Sequence, residues 1–83
     1  MELSELTALG PKKRSFTIRG HRTSISLEDE FWLCLQELAA AEDLSVAAIV
    51  TRIDAERGRV GLSSAIRTYV LQDLRAKVAA LHA

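Results

Sequence analysis

The side chains with the clearest chemistry in this sequence are its bases. Residues 11 to 27 hold Lys12, Lys13, Arg14, Arg19 and Arg22 with no acid among them, and Ser15, Thr17, Ser24 and Ser26 stand between them. That set suits an anionic partner. Lys and Arg hold phosphates, Arg reaches guanine edges, and a serine hydroxyl donates to or accepts from any base. Over the whole chain 11 basic side chains balance 11 acidic ones, but a partner feels the local field and not the total. The sign reverses between residues 28 and 56, where eight acids face Arg52 alone, and turns basic again from Arg57 onward.

Chemistry of other kinds finds little support. A catalytic site needs a nucleophile or an acid–base pair within hydrogen-bond reach, and a pocket for substrate. Cys34 falls on an apolar helical stripe, where it reads as a small buried side chain rather than a reactive thiol. His21 belongs to an expected turn between Arg19 and Arg22, and His82 to the terminal tail. One cysteine and two distant histidines make neither an internal disulfide nor a four-ligand zinc set. No glycine-rich phosphate loop or dinucleotide fingerprint is present. The chain therefore reads as non-enzymatic, with no cofactor and no metal. Its apolar stretches break well short of the roughly 20 residues that a bilayer crossing needs, and residues 1 to 10 lack a basic start followed by an apolar segment. A soluble cytoplasmic protein without a membrane partner is expected.

The elements that position the basic block follow from periodicity. Pro11 beside Gly10 marks residues 1–13 as a flexible arm. From Arg14 to Leu27 the chain is rich in Ser, Thr and Ile and reads as strand. Phe16 and Ile18 have one parity, and Thr23, Ile25 and Leu27 have the other. A register change at Gly20-His21 puts them all on one face. A two-residue turn with Gly first, pairing Ile18 with Thr23 and Phe16 with Ile25, achieves this, and so does a bulge at Gly20. The opposite face then shows Ser15, Thr17, Arg19, Arg22, Ser24 and Ser26, with Arg19 and Arg22 as cross-strand neighbours whose repulsion an anion relieves.

Three helices follow. Ser26 is the expected cap of the first, which runs to about Glu42 with Phe31, Cys34, Leu35 and Leu38 on its apolar stripe. Ser45 caps the second, with Val46, Ile49, Val50 and Ile53 on one face and Gly58 at its end. Ser63 is the expected cap of the third, striped by Ile66, Val70, Leu74, Val78 and Leu81, with Asp73 and Lys77 in the favourable i, i+4 order.

The order strand, helix, turn, helix, with Arg22-Thr23-Ser24-Ile25-Ser26-Leu27 leading into Glu28-Asp29-Glu30-Phe31, resembles the ribbon-helix-helix family of bacterial DNA-binding proteins. The runs Arg14-Ser15-Phe16, Gly20-His21-Arg22-Thr23-Ser24, Phe31-Trp32, Ile53-Asp54-Ala55-Glu56-Arg57 and Leu62-Ser63-Ser64-Ala65-Ile66-Arg67 are similar to one branch of it. The resemblance implies an α+β, mostly helical fold with a ribbon-helix-helix core at 14–58 and an additional C-terminal helix at 59–83. It further implies an intertwined homodimer whose two strands form an antiparallel ribbon across the two-fold axis and enter the major groove.

By the same resemblance Arg22, Ser24 and Ser26 contact bases, while Thr23, Ile25 and Leu27 face the helices. Ser45 anchors a phosphate at the start of the second helix, where exposed amides and the helix dipole favour an anion. Lys12, Lys13, Arg14 and Arg19 complete the expected phosphate contacts. Asp43 stands where the family usually has glycine. The expected dimer core is Phe16, Ile18, Ile25, Leu27, Phe31, Leu35, Leu38, Ile49 and Ile53. A folded monomer of this size hides only roughly 60% of its unfolded surface, so these groups call for a partner chain. A dimeric DNA-binding transcriptional regulator is the function implied. The alternative is a protein-interaction or antitoxin-like dimerisation module that uses residues 62–83 for a protein ligand or a tetramer contact.

Overall fold

The computed structural model describes residues 10–83; most of the expected N-terminal arm lies outside the described residues. Strands β1 (Lys12–Ile18) and β2 (His21–Leu27) form an antiparallel hairpin, followed by helices α1 (Asp29–Ala41), α2 (Val46–Glu56) and α3 (Leu62–Leu81). This is the expected mostly helical α+β architecture, a ribbon and two helices extended by a third.

The turn lies one residue earlier than its expected place. Arg19 and Gly20, at φ 51° and 80°, are its central pair, and Ile18 faces His21. Two positive φ values in a two-residue loop give the type I′ geometry, whose twist matches that of the flanking strands. The expected pairs are thereby corrected, because Phe16 faces Thr23 and not Ile25. Ladder length explains the choice. With Arg19-Gly20 at the tip, every residue of β1 finds a partner, down to Lys12 opposite Leu27. The strand therefore includes Lys12 and Lys13, which the sequence assigns to the arm. The register differs by two residues, and an even slip leaves each side chain on its face.

The helix ends bring two further corrections. Ser26 stays in β2, and Glu28 is the N-cap of α1, its carbonyl accepting from the Phe31 and Trp32 N–H groups at 3.0 and 3.1 Å. Gly61, not Ser63, caps α3. The Ser45 cap forms as expected, its Oγ accepting from the Ala48 N–H at 3.1 Å. Between α1 and α2 the chain closes in a Schellman arrangement, with Leu44 N–H donating to Ala39 O at 2.9 Å and Asp43 N–H to Ala40 O at 3.1 Å. Asp43 adopts φ 56° there, the left-handed conformation that favours glycine.

One core joins all five elements: Ile18, Ile25 and Leu27 from the ribbon, Trp32, Leu35, Leu38 and Ala39 from α1, Ile49, Val50 and Ile53 from α2, and Ile66 and Val70 from α3. Of the nine expected dimer-core residues, Ile18, Ile25, Leu27, Leu35, Leu38, Ile49 and Ile53 are buried within the single chain, and Phe16 and Phe31 are half-buried. The expectation that one chain cannot cover them is corrected. β1 lies against α2, and α3 lies against β2 and both other helices, so the added strand and the added helix supply the cover. Among the described residues the large apolar side chains left exposed are others: Leu33, Leu44, Val60, and Leu71, Leu74, Val78 and Leu81 along α3.

Replacing Asp43 with glycine removes a side chain from a left-handed position, and a gain of roughly 0.5–1 kcal/mol is expected after the entropy cost of glycine in the unfolded chain. Urea unfolding checks it: the midpoint rises with the slope unchanged, and an unmoved midpoint means that Asp43 carries no strain.

Candidate nucleic-acid interface

The two-residue turn makes Ile18 and His21 a hydrogen-bonded pair, and such pairs alternate with non-hydrogen-bonded ones along an antiparallel ladder. Lys13–Ser26, Ser15–Ser24 and Thr17–Arg22 are therefore the non-hydrogen-bonded pairs. Their side chains share the ribbon face opposite the buried Ile18, Ile25 and Leu27. Their backbone amides point outward along the two strand edges. Among the described residues the face carries no carboxylate, since neither strand contains Asp or Glu. Lys13, Ser15, Thr17, Arg22 and Ser24 are exposed, and Ser26 is half-buried.

Arg19 sits at the turn, beside this face and not opposite Arg22, whose partner is Thr17. The expected repulsive pair is thereby removed; spacing the two arginines apart costs the sheet nothing. Two of the expected phosphate contacts fall on the helix face. Lys12 pairs with Asp29, Nζ to Oδ2 at 2.7 Å. Arg14 lies 4.9 Å above the Trp32 ring, in cation–π range. Trp32 organises this side of the ribbon: its ring stacks on Phe16 at 5.6 Å, and its indole N–H donates to the Lys12 carbonyl at 3.4 Å. Ser45 is exposed at the start of α2, with its hydroxyl engaged by Ala48. The structure thus groups Lys13, Arg22, Ser24 and Ser26 on one face with Arg19 at its tip, and puts Lys12 and Arg14 on the opposite one.

Sequence reasoning missed the residues that hold this face in place. Ser63 and Arg67, one helical turn apart on α3, both grip the end of β2. The Ser26 N–H donates to Ser63 Oγ at 3.2 Å, and Arg67 Nη2 donates to the Ser26 carbonyl at 3.2 Å. Arg67 Nε also meets Glu28 Oε1 at 3.0 Å, with its guanidinium 5.8 Å from the Phe31 ring. The i, i+4 spacing of Ser63 and Arg67 puts them on one helix face, which was the available signal; nothing local names Ser26 as their target. Glu28's own backbone hydrogen bond, and then the Arg67 guanidinium, hold the Glu28 carboxyl below its ordinary value.

The profile of the ribbon-helix-helix domain family matches residues 11–74, and the chain belongs to that family. Its members are generally DNA-binding transcriptional regulators or antitoxins, bind DNA as dimers, and are typically not enzymes. Comparison with curated proteins and with solved structures finds no match. Among the described residues no helix is long and apolar enough to cross a membrane.

A carboxyl whose folded value is lowered contributes stability above its unfolded value and loses it as pH falls through the folded one. Glu28→Gln is therefore expected to lower the urea midpoint at neutral pH and to make it fall less steeply on the acid side. A variant that tracks the parent at every pH would show that the Arg67 contact contributes nothing.

Proposed function

We propose that this protein is a dimeric, cytoplasmic transcriptional regulator that inserts the polar face of its ribbon into the DNA major groove. Arg22, Ser24 and Ser26 meet base edges, and Lys13 and Arg19 meet phosphates. The observation that carries this reading is the sorting of charge across the ribbon. Lys12 and Arg14 are occupied on the helix face by Asp29 and Trp32, whereas the opposite face holds Lys13 and Arg22 among hydroxyls with no acid. A two-stranded ribbon fits the roughly 12 Å width of the groove. Ser45, at the start of α2, offers helix-terminal amides to a backbone phosphate beside the ribbon.

A second reading rests on α3. Leu71, Leu74, Val78 and Leu81 follow a 3-4-3 spacing and are 54%, 42%, 53% and 82% exposed. That is the seam of a helix awaiting another helix, and it supports a protein-interaction or antitoxin-like role for residues 62–83. Both roles fit one molecule, with the ribbon on DNA and α3 on protein.

Selection from random duplex DNA at two salt concentrations tests the first reading. Arg22→Ala is expected to cost about 1–3 kcal/mol on the selected sequence and to relax preference at one position, whereas Lys13→Ala weakens all sequences alike and reduces the salt slope by about one unit. Equal effects of both changes on every sequence would remove the base-reading role, and no retention at low salt would leave the α3 reading alone.

A further inference from the structure

The ribbon-helix-helix resemblance implies a ribbon made of one strand from each chain, and its reading positions fall on β2. β1 is a strand beyond that pattern. It pairs with one edge of β2 along the whole length of both strands, which leaves the other edge of β2 to the partner's β2 and makes β1 the outermost strand on its side. Neighbouring strands lie about 4.8 Å apart, so two β2 strands fit within the roughly 12 Å width of the major groove. With one β1 on either side, the outer strands stand roughly 14 Å apart, which is wider than the groove. β1 therefore lies against a groove wall, where the sugar-phosphate backbone runs, while β2 faces the bases.

What β1 shows on that side suits phosphates. Lys13, Ser15 and Thr17 share the outer face with their register partners Ser26, Ser24 and Arg22, and all three are exposed. They offer an ammonium and two hydroxyls, groups with which proteins hold phosphate oxygens. By the alternation of the ladder their backbone N–H groups turn toward the outer rim of the sheet, on the side of the same wall. The other two cations of β1 are turned to the helices, Lys12 to Asp29 and Arg14 to Trp32. Short side chains at 15 and 17 let the strand come close to the DNA backbone. We propose that β1 is a phosphate-holding strand, the row Lys13, Ser15 and Thr17 of each chain gripping the DNA backbone along one wall of the groove. This rests on the proposed groove-reading role of β2. The row adds affinity and fixes the position of the ribbon, and it carries no sequence information of its own.

Binding of the full chain to a selected duplex and to a random duplex pool, at two salt concentrations, tests the row through charge placed at Ser15. Ser15→Lys is expected to tighten both by a similar factor and to steepen the salt slope by about one unit for each chain bound, and Ser15→Glu to weaken both about tenfold or more. The Ser15→Ala, Thr17→Val variant keeps the shape of the strand without its hydroxyls, and is expected to weaken both alike, by about three- to tenfold. Selection with Ser15→Lys is expected to return the parent's preferred sequence. Three results overturn the proposal: a new preferred base with Ser15→Lys, which puts β1 on the groove floor; a salt slope equal to the parent's, which puts it away from the DNA; and parent-like affinity without the two hydroxyls. A parent that retains no duplex at low salt removes the groove-reading role and the phosphate row with it. A parent that binds while Ser15→Lys leaves the slope unchanged removes the placement of β1 alone.

Discussion

A two-residue turn at Arg19-Gly20 sets the register of the ribbon, and the register sets every group that the protein shows on either side of it. Strand side chains alternate, and in an antiparallel pair the direction of the backbone amides alternates with them. Once Ile18 faces His21, the residues with inward amides are those with apolar or helix-facing side chains. The residues with outward amides are Lys13, Ser15, Thr17, Arg22, Ser24 and Ser26. Polar surface and strand edge thus belong to the same residues, so the α3 side chains that grip Ser26 at the edge also steady the face.

The helices divide the remaining work by charge. The acids concentrated between residues 28 and 56 stay off the ribbon face, and two of them serve the ribbon from behind: Asp29 holds Lys12, and Glu28 holds Arg67. These are partly exposed pairs, worth little in stability. Their consequence is positional. Asp29 draws one cation toward the helices, and Glu28 aims a guanidinium at the strand end, leaving Lys13 and Arg22 on an outer face without a carboxylate.

α3 has two halves with different surroundings. Ile66 and Val70 complete the core, and the N-terminal turn grips β2. Beyond Val70 the helix exposes Leu71, Leu74, Val78 and Leu81. A cavity of about 240 Å³, lined by Glu30, Phe31, Cys34, Val70, Leu71 and Leu74, opens at the join between these halves and places Cys34 on an apolar wall. Arg75 and Lys77 flank the exposed seam, with Lys77 held by Asp73 at 2.8 Å.

The sequence alone determined the faces and the helices. Alternation sorted Ser15, Thr17, Arg22, Ser24 and Ser26 from Ile18, Ile25 and Leu27, and the 3.6-residue period with Ser45 and Gly58 marked the second helix, because each of these signals is local and repeats over several residues. Tertiary structure decided what local pattern leaves open. The turn moved to Arg19-Gly20 because a longer ladder outweighs the choice of turn residue, and slips of two residues look alike to alternation. Arg14 shares the parity of Phe16 and Ile18, and only the docking of α1 decided that the Trp32 ring would meet it there. Ser63 and Arg67 found Ser26 and Glu28 across separations of 37 to 41 residues, where no spacing rule reaches. The cover of the core by the chain itself followed from the same docking, since an apolar stripe states that a residue will be buried but not which chain will bury it.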